Sequence, residues 1–215
     1  MANWVLSVHF LRQSKERSSL QDDPKLSYSA LSILVLLIAV RSIITLIDAD
    51  PFSRISVAPL DGRGMNPQSQ DMLRVLREPL LYLGLAALGV IFALTLSGLI
   101  ERKFDRRTAE YMRFWTILAW LSLSAAIAIN AYRSYSQQAW GTWWYWDTAE
   151  HSMLLPWLVT TALLHCRRVL EKTETLKCWT AFLGISALAV GWFGVYLTRS
   201  HMIGPLSETL SKPSN

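Results

Sequence analysis

Apolar residues gather into five stretches near 28–47, 79–100, 114–132, 152–166 and 178–198, and most charged residues fall in the intervals between them. A helix of about 20 apolar residues rises about 30 Å, the thickness of a bilayer's hydrocarbon. The pattern therefore predicts an all-α integral membrane protein, a bundle of about five transmembrane helices forming a single membrane domain over 1–215. The fourth stretch is short and contains Pro156, so it either begins inside the outer interface or is completed by Val169 and Leu170. The long first interval has turn chemistry, with Pro51, Pro59, Asp61, Gly62, Gly64 and Pro67.

Basic residues orient the helices, because Lys and Arg are retained on the inner side of a membrane. Arg102, Lys103, Arg106, Arg107 and Arg113 fill the second interval, and Arg167, Arg168, Lys172 and Lys177 the fourth. The third interval, 135–151, has none. The N-terminus is thus expected inside, with the third interval and the C-terminus outside. Arg54, Arg63, Arg74 and Arg77 lie outside in this scheme, but a long interval translocates with weaker regard for charge. Arg41, within the first stretch, has no acidic residue four positions away and is expected to snorkel.

With 52% hydrophobic and 17% charged residues, the chain does not suit an ordinary soluble domain. The formal charge of +5 lies in short runs beside apolar segments, which argues for a bilayer and against nucleic acid. Cys166 and Cys178 form no C-x-x-C pair and no disulfide framework. The mixed charges from Lys15 to Asp23 argue against a cleavable secretory signal, and Glu16, Asp22 and Asp23 against an organellar presequence.

The 10 Trp far exceed ordinary usage, and their densest run is Trp140, Gly141, Thr142, Trp143, Trp144, Tyr145, Trp146 and Asp147. An aromatic belt at headgroup level is one explanation. The other is a floor for a flat ligand such as a porphyrin, which needs several rings together and a backbone that can approach closely, as Gly141 permits. These residues alone leave both open.

Extended to Trp157, this run resembles the WWD signature of the CcmF family of cytochrome c haem lyases. The resemblance continues upstream through 50–54, 58–67 and 79–84, and downstream through 162–165, 177–179 and 197–200. A CcmC-type haem transporter shares the Trp-Gly-Thr-Trp-Trp run, but 61–67 and 79–84 fit CcmF better. About 50–200 is covered, a middle portion of a longer family member, so the resemblance implies a split or truncated lyase completed by partner chains.

The resemblance further implies that haem is presented on the outer face over Trp140, Trp143, Trp144, Trp146 and Asp147, for attachment of its vinyl groups to the cysteines of apocytochrome c. Other haem lyase subunits, a haem chaperone and the lipid bilayer are the implied partners, in a mitochondrial inner membrane or a bacterial plasma membrane. Of three family histidines, the ligand to a haem b buried between spans falls on His165, shared with a partner chain. The two external ligands fall on Arg77 and Ser207, neither a usual ligand to haem iron. A chain of this kind is not expected to be catalytic alone, and without C-x-x-C it carries no thiol relay. The rival expectation is a non-catalytic scaffold subunit derived from the same family.

Each candidate has a plainer explanation. His165 lies beside Arg167 and Arg168 and can be an interfacial histidine; Arg77 can bind a haem propionate or pair with Glu78. His201, and less readily His151, can replace the missing ligands or sit at the interface. Asp147 and Glu150 are expected to cap and hydrogen-bond the start of the fourth span.

Overall fold

The computed structural model describes residues 24–49, 72–137, 143–144 and 148–199. They form five helices: α1 (Pro24–Ala49), α2 (Met72–Ile100), α3 (Arg106–Gln137), α4 (Thr148–Thr173) and α5 (Lys177–Arg199). Each apolar stretch lies inside one helix, and each helix is longer than its stretch because it carries polar turns beyond the apolar core.

The helix ends have local causes. Arg102 and Glu174 adopt positive φ, 53° and 57°, the left-handed conformation that closes a helix C-terminus. Lys103 N then donates to Gly98 O at 2.8 Å and Glu174 N to Leu170 O at 3.0 Å, so carbonyls of the final turns are satisfied. Asp105 opens α3 by accepting from the backbone N–H of Arg107 at 3.0 Å and of Thr108 at 3.4 Å. These short connections make α2 and α3, and likewise α4 and α5, antiparallel.

Four helices form a ring in which α3 touches α2 and α4, and α5 touches α4 and α2. Its interior is lined by Leu88, Ile91, Met112, Leu123, Met153 and Leu163, all sealed from solvent. Small residues allow the helices to approach, as expected where packing must supply association in lipid. A Cβ on Gly184 of α5 would fall 2.5 Å from Thr95 Oγ1 of α2, and one on Gly194 would fall 2.8 Å from Ser152 Cα of α4. Buried hydroxyls return to their own helix: Thr95 donates to Ile91 O, Thr116 to Met112 O and Thr160 to Pro156 O, which removes unpaired donors from the apolar interior.

Outside this ring, α1 leans on α2 near its own N-terminal end, where Ser97 Oγ donates to Leu26 O at 3.0 Å and Ser29 Oγ to Glu101 Oε1 at 2.9 Å. From Ile38 to Ile47 its residues are exposed, including Ile38, Ile43, Ile44 and Ile47. Arg41 is exposed as well.

Helices α1, α2, α3 and α5 are long and apolar enough to cross a membrane. Helix α4 has 26 residues, about 39 Å at the helical rise, but is less apolar. Two of its charged residues are turned inward: Glu150 and Arg167 are buried against neighbouring helices, where protein replaces water as their partner.

Candidate functional site

Helices α3 and α4 are the two stems of the Trp-rich interval. On the last turns of α3, the ring of Tyr135 stacks on Trp143 with centroids 4.4 Å apart and planes 12° from parallel. Trp143 nevertheless remains 56% exposed, so the stack fixes its orientation and leaves much of its surface available. Trp144 is half-buried. Trp140, Gly141, Thr142, Tyr145, Trp146, Asp147, His201 and Ser207 lie outside the described residues.

The stems are riveted deeper in the bundle. Trp120 and Trp157 stack at 6.3 Å; Trp157 Nε1 donates to Ser124 Oγ at 2.8 Å, and Trp120 Nε1 to Thr161 Oγ1 at 3.0 Å. Both indole N–H groups are thereby satisfied across the α3–α4 seam.

Directly beneath the Trp-rich interval lies a polar cluster that three helices share. Glu150, on the first turn of α4, is 5% exposed and accepts from Asn130 Nδ2 at 3.2 Å and Ser134 Oγ at 3.3 Å, both on α3. Asn130 Oδ1 accepts from Arg77 Nη1 of α2 at 2.8 Å, and Arg77 Nη2 donates to Glu78 Oε1 at 2.6 Å. Arg77 is thus a helical residue and not a loop charge; its pairing with Glu78 is present, but Asn130 is a second partner that spacing along the chain did not indicate. Glu150, expected as a cap, reaches across to the neighbouring helix.

At the opposite end of the stems, Glu171 lies between Arg113 and Arg167, with Arg167 Nη1 donating to Glu171 Oε2 at 2.9 Å. Arg167 is 2% exposed and also directs Nη1 at Ala109 O, 3.4 Å away. This triad holds one end of the α3–α4 pair as the Glu150 cluster holds the other. The i,i+4 spacing of Arg167 and Glu171 was a visible sign of the pair.

His165 faces away from the other helices of this chain. Its ring is exposed on the outward face of α4 and is not buried between helices of this chain, because Leu163 and Arg167 occupy the inward positions on either side. Nδ1 lies 3.0 Å from the carbonyl of Thr161. A carbonyl can only accept, so Nδ1 carries the hydrogen, and in the neutral ring Nε2 keeps its lone pair for an outside partner. Metal-bound imidazoles commonly have this arrangement, with one nitrogen held by the backbone and the other free to ligate. These atoms fit a haem iron, which His165 would hold through Nε2. His151, half-buried on the first turn of α4, stands at the other end of the helix.

The family profile described as cytochrome C assembly protein matches residues 1–206. The chain belongs to that family and is of the CcmF type. It is 39% identical over 169 residues to the cytochrome c-type biogenesis protein CycK of Rhizobium meliloti, covering 79% of this chain and 25% of CycK. It is 36% identical over 170 residues to CcmF of Escherichia coli, covering 79% of this chain and 26% of CcmF. A solved structure of a cytochrome c haem lyase CcmF superposes with a TM-score of 0.57 at 31% identity, over 60% of this chain and 22% of that one. The CcmF-type chain thus spans about a quarter of the length of the curated relatives it matches. It is an integral membrane protein of a family concerned with cytochrome c biogenesis.

Proposed function

We propose that this chain is the haem-presenting part of a CcmF-type haem lyase, holding haem at the outer membrane face while its vinyl groups are joined to the cysteines of apocytochrome c. The observation that carries the proposal is the stacked, half-open Trp143 at the end of its stems, within the run that resembles the family's WWD signature. In this scheme Trp140, Trp143, Trp144 and Trp146 offer aromatic faces to the porphyrin, and Asp147 orients the run. Burial of large aromatic surfaces contributes on the order of several kcal/mol without an iron ligand. His201, or a histidine of a partner protein, then completes the iron's coordination. Arg77 reaches a propionate only by exchanging its bonds to Glu78 and Asn130.

His165 is assigned to a resident haem b, which it holds through Nε2 at the outward face of α4. When bound, that haem would supply one-electron redox chemistry. A haem chaperone, apocytochrome c and further lyase subunits are the proposed partners, and the membrane is a bacterial plasma membrane or a mitochondrial inner membrane. By the distribution of Lys and Arg, the α3–α4 interval and the C-terminus face outward and the N-terminus inward.

One observation favours a scaffold role as the second possibility: Arg77, at the position of a family iron ligand, is engaged inside the bundle. Replacing Trp143, Trp144 and Trp146 together by Ala separates the two. Haem presentation requires c-type cytochrome production to fall while the assembly stays intact. Normal cytochrome c levels in an intact assembly would overturn it.

A further inference from the structure

The outward face of α4 is apolar on one side of His165 and cationic on the other. At 3.6 residues per turn, Leu158, Ala162, Arg168 and Lys172 all fall within about 60° of His165 around the helix axis. All four are exposed. Leu158 and Ala162 precede the histidine, whereas Arg168 and Lys172 follow it by about 4.5 and 10.5 Å along the axis, towards the connection to α5.

Nothing within this chain engages those two cations. Arg167, the neighbour of Arg168, is turned inward to Glu171, and the same carboxylate answers Arg113. Among the described residues neither Arg168 nor Lys172 has an ion-pair partner. A porphyrin held through Nε2 of His165 would lie across this face and extend from the iron both ways along the helix. Haem itself is uneven, with two carboxylates at one edge and apolar vinyl groups elsewhere on its rim. Only one direction of the ring sets the carboxylates against the cations and leaves Leu158 and Ala162 an apolar edge. A guanidinium binds a carboxylate through two parallel hydrogen bonds, and an ammonium adds a second charge.

From this arrangement we infer that Arg168 and Lys172 are the propionate partners of the haem held at His165, and that they fix the direction of its macrocycle. The propionates point towards the α4–α5 connection. This inference rests on the haem b reading of His165 and goes beyond it, because ligation through Nε2 alone leaves the ring free to turn about the iron–nitrogen bond.

The test uses the purified assembly, reconstituted in turn with protohaem and with its dimethyl ester, which keeps the iron and vinyl groups but has no carboxylate. Release is timed by transfer to excess apomyoglobin, and ligation is read from the reduced spectrum. The wild type should release the ester on the order of tenfold faster than protohaem. That comparison needs no substitution, and equal release would by itself overturn the inference. Arg168→Gln with Lys172→Gln should keep the b-type spectrum, release both haems at the ester's rate, and lower the midpoint potential, since positive charge near the iron is lost. Lys177→Gln, which removes a cation from the first residue of α5, should change neither rate. A double variant that still retains protohaem tenfold longer, or an equal loss of that preference in Lys177→Gln, would overturn the propionate contacts while leaving His165 as the ligand. A b-type spectrum that is absent from the wild type, or unchanged in His165→Ala, would overturn the haem b reading and this inference with it.

Discussion

Asn130 and Glu150 stand 20 positions apart in the chain and share a hydrogen bond of 3.2 Å in which the Asn130 amide donates to the Glu150 carboxylate. Both side chains are sealed from solvent, at 4% and 5% exposure. Because Asn130 also accepts from Arg77, one amide joins α2, α3 and α4 beneath the Trp-rich interval.

Asn130→Leu should therefore do more than delete one bond. It leaves Glu150 with one donor fewer and Arg77 with one acceptor fewer, which should cost about 1–3 kcal/mol. A melting curve in detergent measures this, and a change within the error of the wild type would show that the cluster does not tie the stems.

Glu171 answers two guanidiniums, so its loss should exceed the loss of either. Glu171→Gln should destabilise by about 3–5 kcal/mol, since it leaves Arg113 and buried Arg167 facing each other without a carboxylate. Adding Arg113→Gln to it should recover part of that loss. A double mutant less stable than Glu171→Gln alone would contradict the triad.

The orientation is checked with a thiol probe that cannot cross membranes, in a background where Cys166 and Cys178 are replaced by Ser. A cysteine at Ser136, on the last turns of α3, should label in intact cells or mitoplasts, and one at Thr173, at the end of α4, should not. The reverse pattern would invert the proposed topology.

For His165 the expected result is spectroscopic. If the exposed imidazole holds a haem b, the purified assembly should show a reduced b-type spectrum that His165→Ala weakens or abolishes. Since the ring lies outside the bundle core, the substitution should leave the stability of the haem-free chain within about 0.5 kcal/mol of the wild type. An unchanged spectrum would remove His165 from the site.

Much of the fold was legible because lipid demands long apolar runs, and four helices announced themselves that way. Helix α4 was under-read: Glu150, Arg167 and Glu171 look like interruptions in a linear sequence, and only packing shows that they face partners across a seam. Helix α3 begins ahead of its apolar stretch for a related reason, since Arg106 and Glu110 pair with each other on its first turns. The aromatic run was evident by composition, whereas the Tyr135–Trp143 stack depends on where α3 ends. His165 was named by resemblance, but which face of α4 it occupies is set by the inward positions of Leu163 and Arg167.

The ring closes last where the chain is longest between partners. Hairpins α2–α3 and α4–α5 turn on short connections and can dock as each pair of helices enters the bilayer, but α5 meets α2 only after both are complete. Gly184 against Thr95 is one close point of that meeting, where an added Cβ would fall 2.5 Å from the Thr95 hydroxyl. The bundle thus has a latch in its order of assembly: a side chain at position 184 would leave two finished hairpins unable to shut, and the stems of the aromatic run would remain mounted on an open barrel.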